Sequence, residues 1–68
     1  MFRFIREKIL PLFLASGLRT HQFAKVASVS DRSVLKAVNG DKIPASVVGK
    51  IGKALGLTDA ELVNYLEV

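Results

Sequence analysis

"THQFAKVASVSDRSVLKAVN", Thr20 to Asn39, sets two short helical patterns around a tight turn. In the first, Phe23, Ala24 and Ala27 recur at i, i+1 and i+4; in the second, Val34, Ala37 and Val38 recur at i, i+3 and i+4. Both spacings gather apolar residues on one helical face, and they predict helices over about 20–27 and 31–39. Ser28-Val29-Ser30 runs between them. The Ser30 hydroxyl suits the N-cap of the second helix, where it can accept the N–H of Arg32 or Ser33. Val29, just before that cap, can plug the angle between the helices. Ala24 is small, as a helix crossing another at close range requires.

Toward the N-terminus, Phe2 to Ala15 reads as a first helix with Ile5, Ile9 and Leu12 or Phe13 on its core face. Pro11 has no N–H to give and crowds the carbonyl four residues back. It therefore predicts a kink, or a helix that ends near Leu10 and restarts with Pro11 in first position. Phe2, Phe4, Leu10 and Leu14 exceed one buried stripe, so some should lie exposed and offer a self-association surface. The same segment has the order of a secretory signal: bases, an apolar run from Ile9 to Leu14, then small Ala15, Ser16 and Gly17. That is the weaker reading, because cleavage near Ala15 would remove the helix on which the others must pack. The run is also too short to span a bilayer, and nothing in the rest of the chain supports a surface-bound amphipathic helix.

Toward the C-terminus, Asn39-Gly40 reads as a helix end with a glycine cap, and Asp41 to Pro44 as a loop. A fourth helix should run from Ala45 or Ser46 to Leu55. Gly49 and Gly52 each lower its propensity by about 1 kcal/mol, so packing must hold it, and small residues three apart can admit a close neighbour. Gly56 should end it and Thr58 should cap a fifth helix, with Asp59 and Glu61 well placed in its first turn. Leu62, Leu66 and Tyr65 then return toward the core. The expected fold is all-α, a compact bundle of about five short helices in one domain over residues 1–68, with no internal repeat or linker.

Sixty-eight residues lie near the lower limit for a core without staples, and the chain has no cysteine to provide them. The core must be apolar, which a hydrophobic content of 50% allows. Lack of cysteine fits a cytoplasmic setting. The net charge of +4 is uneven. Between residues 17 and 53, seven bases (Arg19, Lys25, Arg32, Lys36, Lys42, Lys50, Lys53) face two acids (Asp31, Asp41), a surplus of five. The last ten residues hold Asp59, Glu61 and Glu67 and no base. A polyanion is drawn first to the basic middle. One histidine and six scattered carboxylates supply no nucleophile with base and orienter, no metal-ligand spacing and no phosphate-cradling glycine loop. The expectation is a non-enzyme without cofactor, metal or small-molecule ligand.

"GLRTHQFAKVASVSDRSVLKAVNG" and "IPASVVGKIGKALGLTDAEL" together cover most of the chain. They resemble helices 2 to 5 of the lambda-repressor-like helix-turn-helix family, the Cro and XRE type. Three departures stand out. The turn glycine of that family falls on Ser28, which must take a left-handed conformation at about 1 kcal/mol or make a different turn. The glutamine that often opens helix 2 falls on Thr20, with His21 or Gln22 as substitutes. The loop before helix 4 is about one residue shorter than the commonest family spacing.

The resemblance implies a phage- or prophage-type transcription regulator of the bacterial cytoplasm or nucleoid, a repressor occupying a double-stranded DNA operator through the major groove, with no membrane association. One recognition helix reads too few base pairs for genomic specificity, so a homodimer on half-sites roughly 34 Å apart is expected. Its dimer surface would come from the N-terminal aromatics or from "NYLEV", Asn64 to Val68. In that docking mode Asp31, Arg32, Ser33 and Lys36 face the bases. Arg32 can grip guanine O6 and N7 with two bonds, and Lys36 shares its face. Asp31 can accept from a cytosine N4 or stabilise the helix start. Leu35 meets a thymine methyl or a neighbouring subunit. Thr20, His21, Gln22, Asn39 and Lys42 are the candidates for phosphate, while Lys25, Lys50 and Lys53 read as solubilising charges. The alternative is a protein-interaction module on the same fold, antitoxin-like, carried by Phe2, Phe4 and Leu14.

Overall fold

The computed structural model describes residues Met1–Glu67; Val68, the last residue of the "NYLEV" candidate, lies outside them. The described chain is all-α, with α1 at Arg6–Ala15, α2 at Thr20–Ala27, α3 at Asp31–Asn39, α4 at Ala45–Ala54 and α5 at Asp59–Val63. α3 lies at the centre of the packing, touching α1, α2 and α4; α2 also packs on α4, and α5 covers α4. Ile9, Phe13, Phe23, Ala24, Ala27, Val34, Ala37, Val48 and Ile51 from four helices form one buried cluster, joined by Phe4 and Ile43 from outside them. The Phe13 and Phe23 rings meet at 4.8 Å between centroids, tilted by 57°, which avoids the face-to-face stacking that aromatic quadrupoles disfavour.

Local signals explain most of the helix ends. The Ser30 hydroxyl accepts the N–H of Ser33 at 3.1 Å and opens α3. Gly40 closes it at φ +77, a left-handed conformation open to glycine at little cost. Gly56 does the same after α4, and at α5 the Thr58 hydroxyl and the Glu61 carboxylate satisfy each other's backbone N–H groups at 3.2 and 3.0 Å. Gly49 and Gly52 behave differently within α4. A methyl group at Gly52 would meet Leu62 Cδ1 at 2.8 Å, whereas one at Gly49 would meet nothing within 4 Å. Only Gly52 therefore admits the close neighbour that the small residues suggested, and that neighbour is α5.

The first helix is the main correction. It begins at Arg6, not Phe2, and Met1–Ile5 is extended. The Phe2 and Ile43 backbones exchange N–H···O bonds of 2.9 and 2.7 Å, Ile5 N–H donates to the Tyr65 carbonyl at 2.7 Å, and Glu67 N–H donates to the Arg3 carbonyl at 2.9 Å. The N-terminal strap is thus paired on both sides, with antiparallel bridges Phe2–Ile43 and Phe4–Leu66. Aromatic residues two apart suit this extended form, and no Ser, Thr, Asp or Asn precedes Arg6 to cap an earlier helix start. Phe4 is 1% exposed and belongs to the core, so it leaves the apolar surface expected of it; Phe2, at 45%, remains there. Nor does α1 divide at Pro11, which sits inside one continuous helix. Pro11 and Glu7, the residue whose carbonyl loses its partner, both face solvent, where water can take the place of the missing bond. No described helix is long and apolar enough to cross a membrane.

Candidate nucleic-acid interface

The inner face of α3 is fixed by Val34 and Ala37, both buried to 1% or less. Because residues four apart share a face, this leaves Arg32, Lys36 and Asn39 along the outer one, all exposed. Leu35, 50% exposed, stands beside them. Neither Arg32 nor Lys36 joins an ion pair among the described residues. The two cations stay available on a rigid element whose back is held by the core.

The remaining base candidates are engaged within the protein. Ser33 is half-buried, and its hydroxyl lies 2.9 Å from that of Ser30. It thus belongs to the cap that starts α3. The Asp31 carboxylate turns toward α2, where its two oxygens lie 3.1 and 3.2 Å from His21 Nδ1. The pair is open to solvent, with side-chain exposures of 66% for His21 and 55% for Asp31.

The turn itself supplies the geometry. Ser28 stands at φ 60, ψ 43, the left-handed conformation expected if it replaces a glycine. Its N–H donates to the Lys25 carbonyl at 3.2 Å, and the N–H of Val29 donates to the Ala24 carbonyl at 3.0 Å, so the end of α2 is satisfied. Val29 is half-buried against the core. A left-handed serine costs about 1 kcal/mol, offset by the burial of Val29 and by the Ser30 cap that follows. Lys50 reaches the Ser28 carbonyl from α4 at 3.5 Å and so is in part a brace for the turn.

At the opposite end of α2, Gln22 Oε1 accepts the Arg19 N–H at 3.2 Å. Gln22 thereby closes its own helix start and is taken up by it. Thr20 is half-buried beside Arg19, His21 is exposed, and Asn39 is exposed immediately before Gly40. Lys42 lies elsewhere. It shares a shallow hollow with Met1, Phe2, Arg3 and Glu67, held there because its neighbour Ile43 pairs with Phe2. The structure therefore brings together Arg32 and Lys36, and separately His21 and Asp31, while Lys42 belongs to the N-terminal strap. Arg3, which the sequence reading placed on a helix, is the residue missed in that strap; it lies 3.6 Å from Glu67. The alternation of Phe2 and Phe4 was the signal for it.

An apolar groove runs along α1 and α3, lined by Leu10, Leu14, Leu18, Val34 and Val38 among others. Leu14 is 73% exposed and Leu18 40%. The Glu61 carboxyl is held below its ordinary pKa, first by the bond from the Thr58 backbone N–H and then by the Thr58 side chain, against an opposing effect of burial. No family model, curated protein or solved structure matches the chain.

Proposed function

We propose that the chain is a sequence-specific double-stranded DNA-binding regulator, a Cro-like repressor in which α2, the Ser28–Ser30 turn and α3 work as a helix-turn-helix with α3 in the major groove. The observation that carries this reading is the outer face of α3. Arg32 and Lys36 stand exposed and outside any described ion pair on a helix whose inner face is locked by Val34 and Ala37. Two donors on one face of a helix suit the acceptor pattern that guanine offers in the groove. α2 packs on α3 across a short turn with an αL residue, which suits a helix-turn-helix. Thr20, His21 and Asn39 lie at helix ends where a phosphate backbone can be met. Lys42 adds a charge from the strap side.

The test is selection of bound duplexes from a random library by the full chain at about physiological ionic strength, where nonspecific attraction is partly suppressed. An enriched inverted repeat supports a dimeric operator-binding regulator. Arg32→Ala should then relax preference at one base position while leaving the rest of the site intact. Lys42→Ala should weaken all sequences alike and lower the salt slope by about 0.9, the contribution of one phosphate contact. The exposed Leu14 and Leu18 beside the α1–α3 groove favour a second reading, an interaction module. Under that reading no duplex is enriched by a folded protein, and Arg32→Ala changes nothing.

A further inference from the structure

The pair formed by His21 and Asp31 links α2 to α3, and it places an acid where a polyanion is proposed to approach. Resting on the DNA-binding reading, we infer that this pair makes binding proton-linked, with Asp31 positioning His21 instead of reading a base. The argument is one of donors and charge. Both Asp31 oxygens lie within 3.2 Å of Nδ1, and an ionised carboxylate only accepts, so Nδ1 must carry a proton in either charge state of the ring. A neutral imidazole held this way has its lone pair on Nε2, and a lone pair gives a phosphate oxygen nothing to bond. The pair then carries a net charge of −1. A protonated ring donates from both nitrogens, one bond going to Asp31 and one left for the phosphate, and the pair becomes neutral. DNA that meets His21 in this way takes up a proton with it.

Asp31 is the acid that faces the ring from α3, at 3.1 Å, and Arg32 follows it on the same helix. On α2 itself Arg19 and Lys25 flank His21 in sequence, and Lys50 from α4 reaches the Ser28 carbonyl at the far end of α2. α1 packs on α3 and meets α2 through the Phe13 and Phe23 rings, an apolar contact.

The assay is binding of the full chain to a random-sequence duplex of about two helical turns, at fixed salt, between about pH 6 and about pH 8. Wild type should weaken roughly tenfold across that range, the size of one charge-assisted hydrogen bond, while His21→Gln should weaken far less. Subtracting the variant removes the contribution of every other titrating group. Asp31→Asn should bind more tightly than wild type at the upper pH, because it removes a negative charge from the face, and should keep its base preference in the selected site. Nitrogen NMR of the free protein gives a readout independent of DNA: the neutral ring should carry its proton on Nδ1 in wild type. A ring protonated on Nε2, or equal pH dependence for wild type and His21→Gln, overturns the inference while leaving the DNA-binding reading in place. Relaxed preference at one base pair in Asp31→Asn, with the pH dependence unchanged, also overturns it and returns Asp31 to the base-reading set. Absence of binding by all three proteins at both pH values removes the DNA-binding reading, and this inference with it.

Discussion

The segment from Arg19 to Gly40 and the strap from Met1 to Ile5 are held by opposite kinds of interaction. In the first, Gln22 closes the start of α2, Ser28 and Val29 bond back to Lys25 and Ala24, Ser30 caps α3, and Gly40 ends it. Each contact spans five residues or fewer. In the second, Phe2 pairs with Ile43, and Arg3 and Ile5 pair with Glu67 and Tyr65, across almost the whole chain. Local contacts set the shape of the proposed reading head at little cost in loop closure. The strap must close long loops before it gains anything, and its return comes from burying Phe4. Removing one local contact should therefore shift stability modestly, whereas removing the anchor of the strap should be felt throughout.

Phe4→Ala is the strongest test of that contrast. Phe4 is 1% exposed, and truncating a buried phenylalanine costs about 3–5 kcal/mol. That is comparable to the whole stability of a domain this small, roughly 3–5 kcal/mol. The variant should lose most of its helical circular dichroism at room temperature. Phe2→Ala, in the same strap but 45% exposed, should remain folded. Equal, small effects from both would mean that the strap lies on the protein without holding it together.

Gly52→Ala comes next, because α5 carries the Tyr65–Glu67 partner of the strap. The added methyl would stand 2.8 Å from Leu62 Cδ1. Leu62 must move, and overpacking of this kind costs about 1–3 kcal/mol; set against the gain of about 1 kcal/mol in helix propensity, the net effect should run from neutral to a loss of about 2 kcal/mol. Gly49→Ala, on the open side of the same helix, should instead stabilise by about 1 kcal/mol through helix propensity. A Gly52→Ala variant less stable than Gly49→Ala by at least about 1 kcal/mol in denaturant unfolding would show that one glycine is a packing requirement and the other is not. Equal stabilisation by both would break the close approach of Leu62 to Gly52.

Ser28→Gly tests the local half. At φ 60 the serine is strained where glycine is not, so the replacement should stabilise by up to about 1 kcal/mol and raise the melting midpoint by about 4–8 °C. A loss instead would show that the Ser28 side chain supports the turn in some way that its backbone geometry does not reveal.

The same contrast explains what could be read from the residues alone. The spans of α2 and α3, the Ser30 cap and the Gly40 stop all depend on neighbours within one or two turns, and spacing and residue type report those directly; the left-handed Ser28 was one of two alternatives that only the family resemblance raised. The start of α1 depends on whether Phe2 finds Ile43; the alternation of Phe2 and Phe4 is the one local signal for it, and it is outweighed because Phe2 to Ala15 is apolar enough to suit a helix throughout. At the candidate interface, the exposure of Arg32 and Lys36 followed from the apolar face of α3. The engagement of Asp31 with His21 and of Gln22 with Arg19 did not, because a side chain that can face a groove can equally turn back to a neighbour.

The smallest effect expected is at the cap of α5, a local device within the non-local half. Glu61 accepts the Thr58 N–H at 3.0 Å, and its carboxyl sits below the ordinary value, chiefly for that reason. A carboxyl whose folded value is lower than its unfolded one stabilises the fold above the unfolded value and loses that contribution as pH falls through the folded one. The cap should thus be fully formed at neutral pH and weaken through the acid range. Glu61→Gln keeps an oxygen that can accept the Thr58 N–H but does not titrate, so it should flatten the acid side of the melting-midpoint curve slightly and leave the neutral side near wild type. Thr58→Ala keeps the backbone donor, the larger cause, and removes the side-chain one. The Glu61 titration followed by NMR should then move only part of the way back toward its ordinary value. A full return would make the hydroxyl the dominant cause and reduce the backbone bond to a bystander.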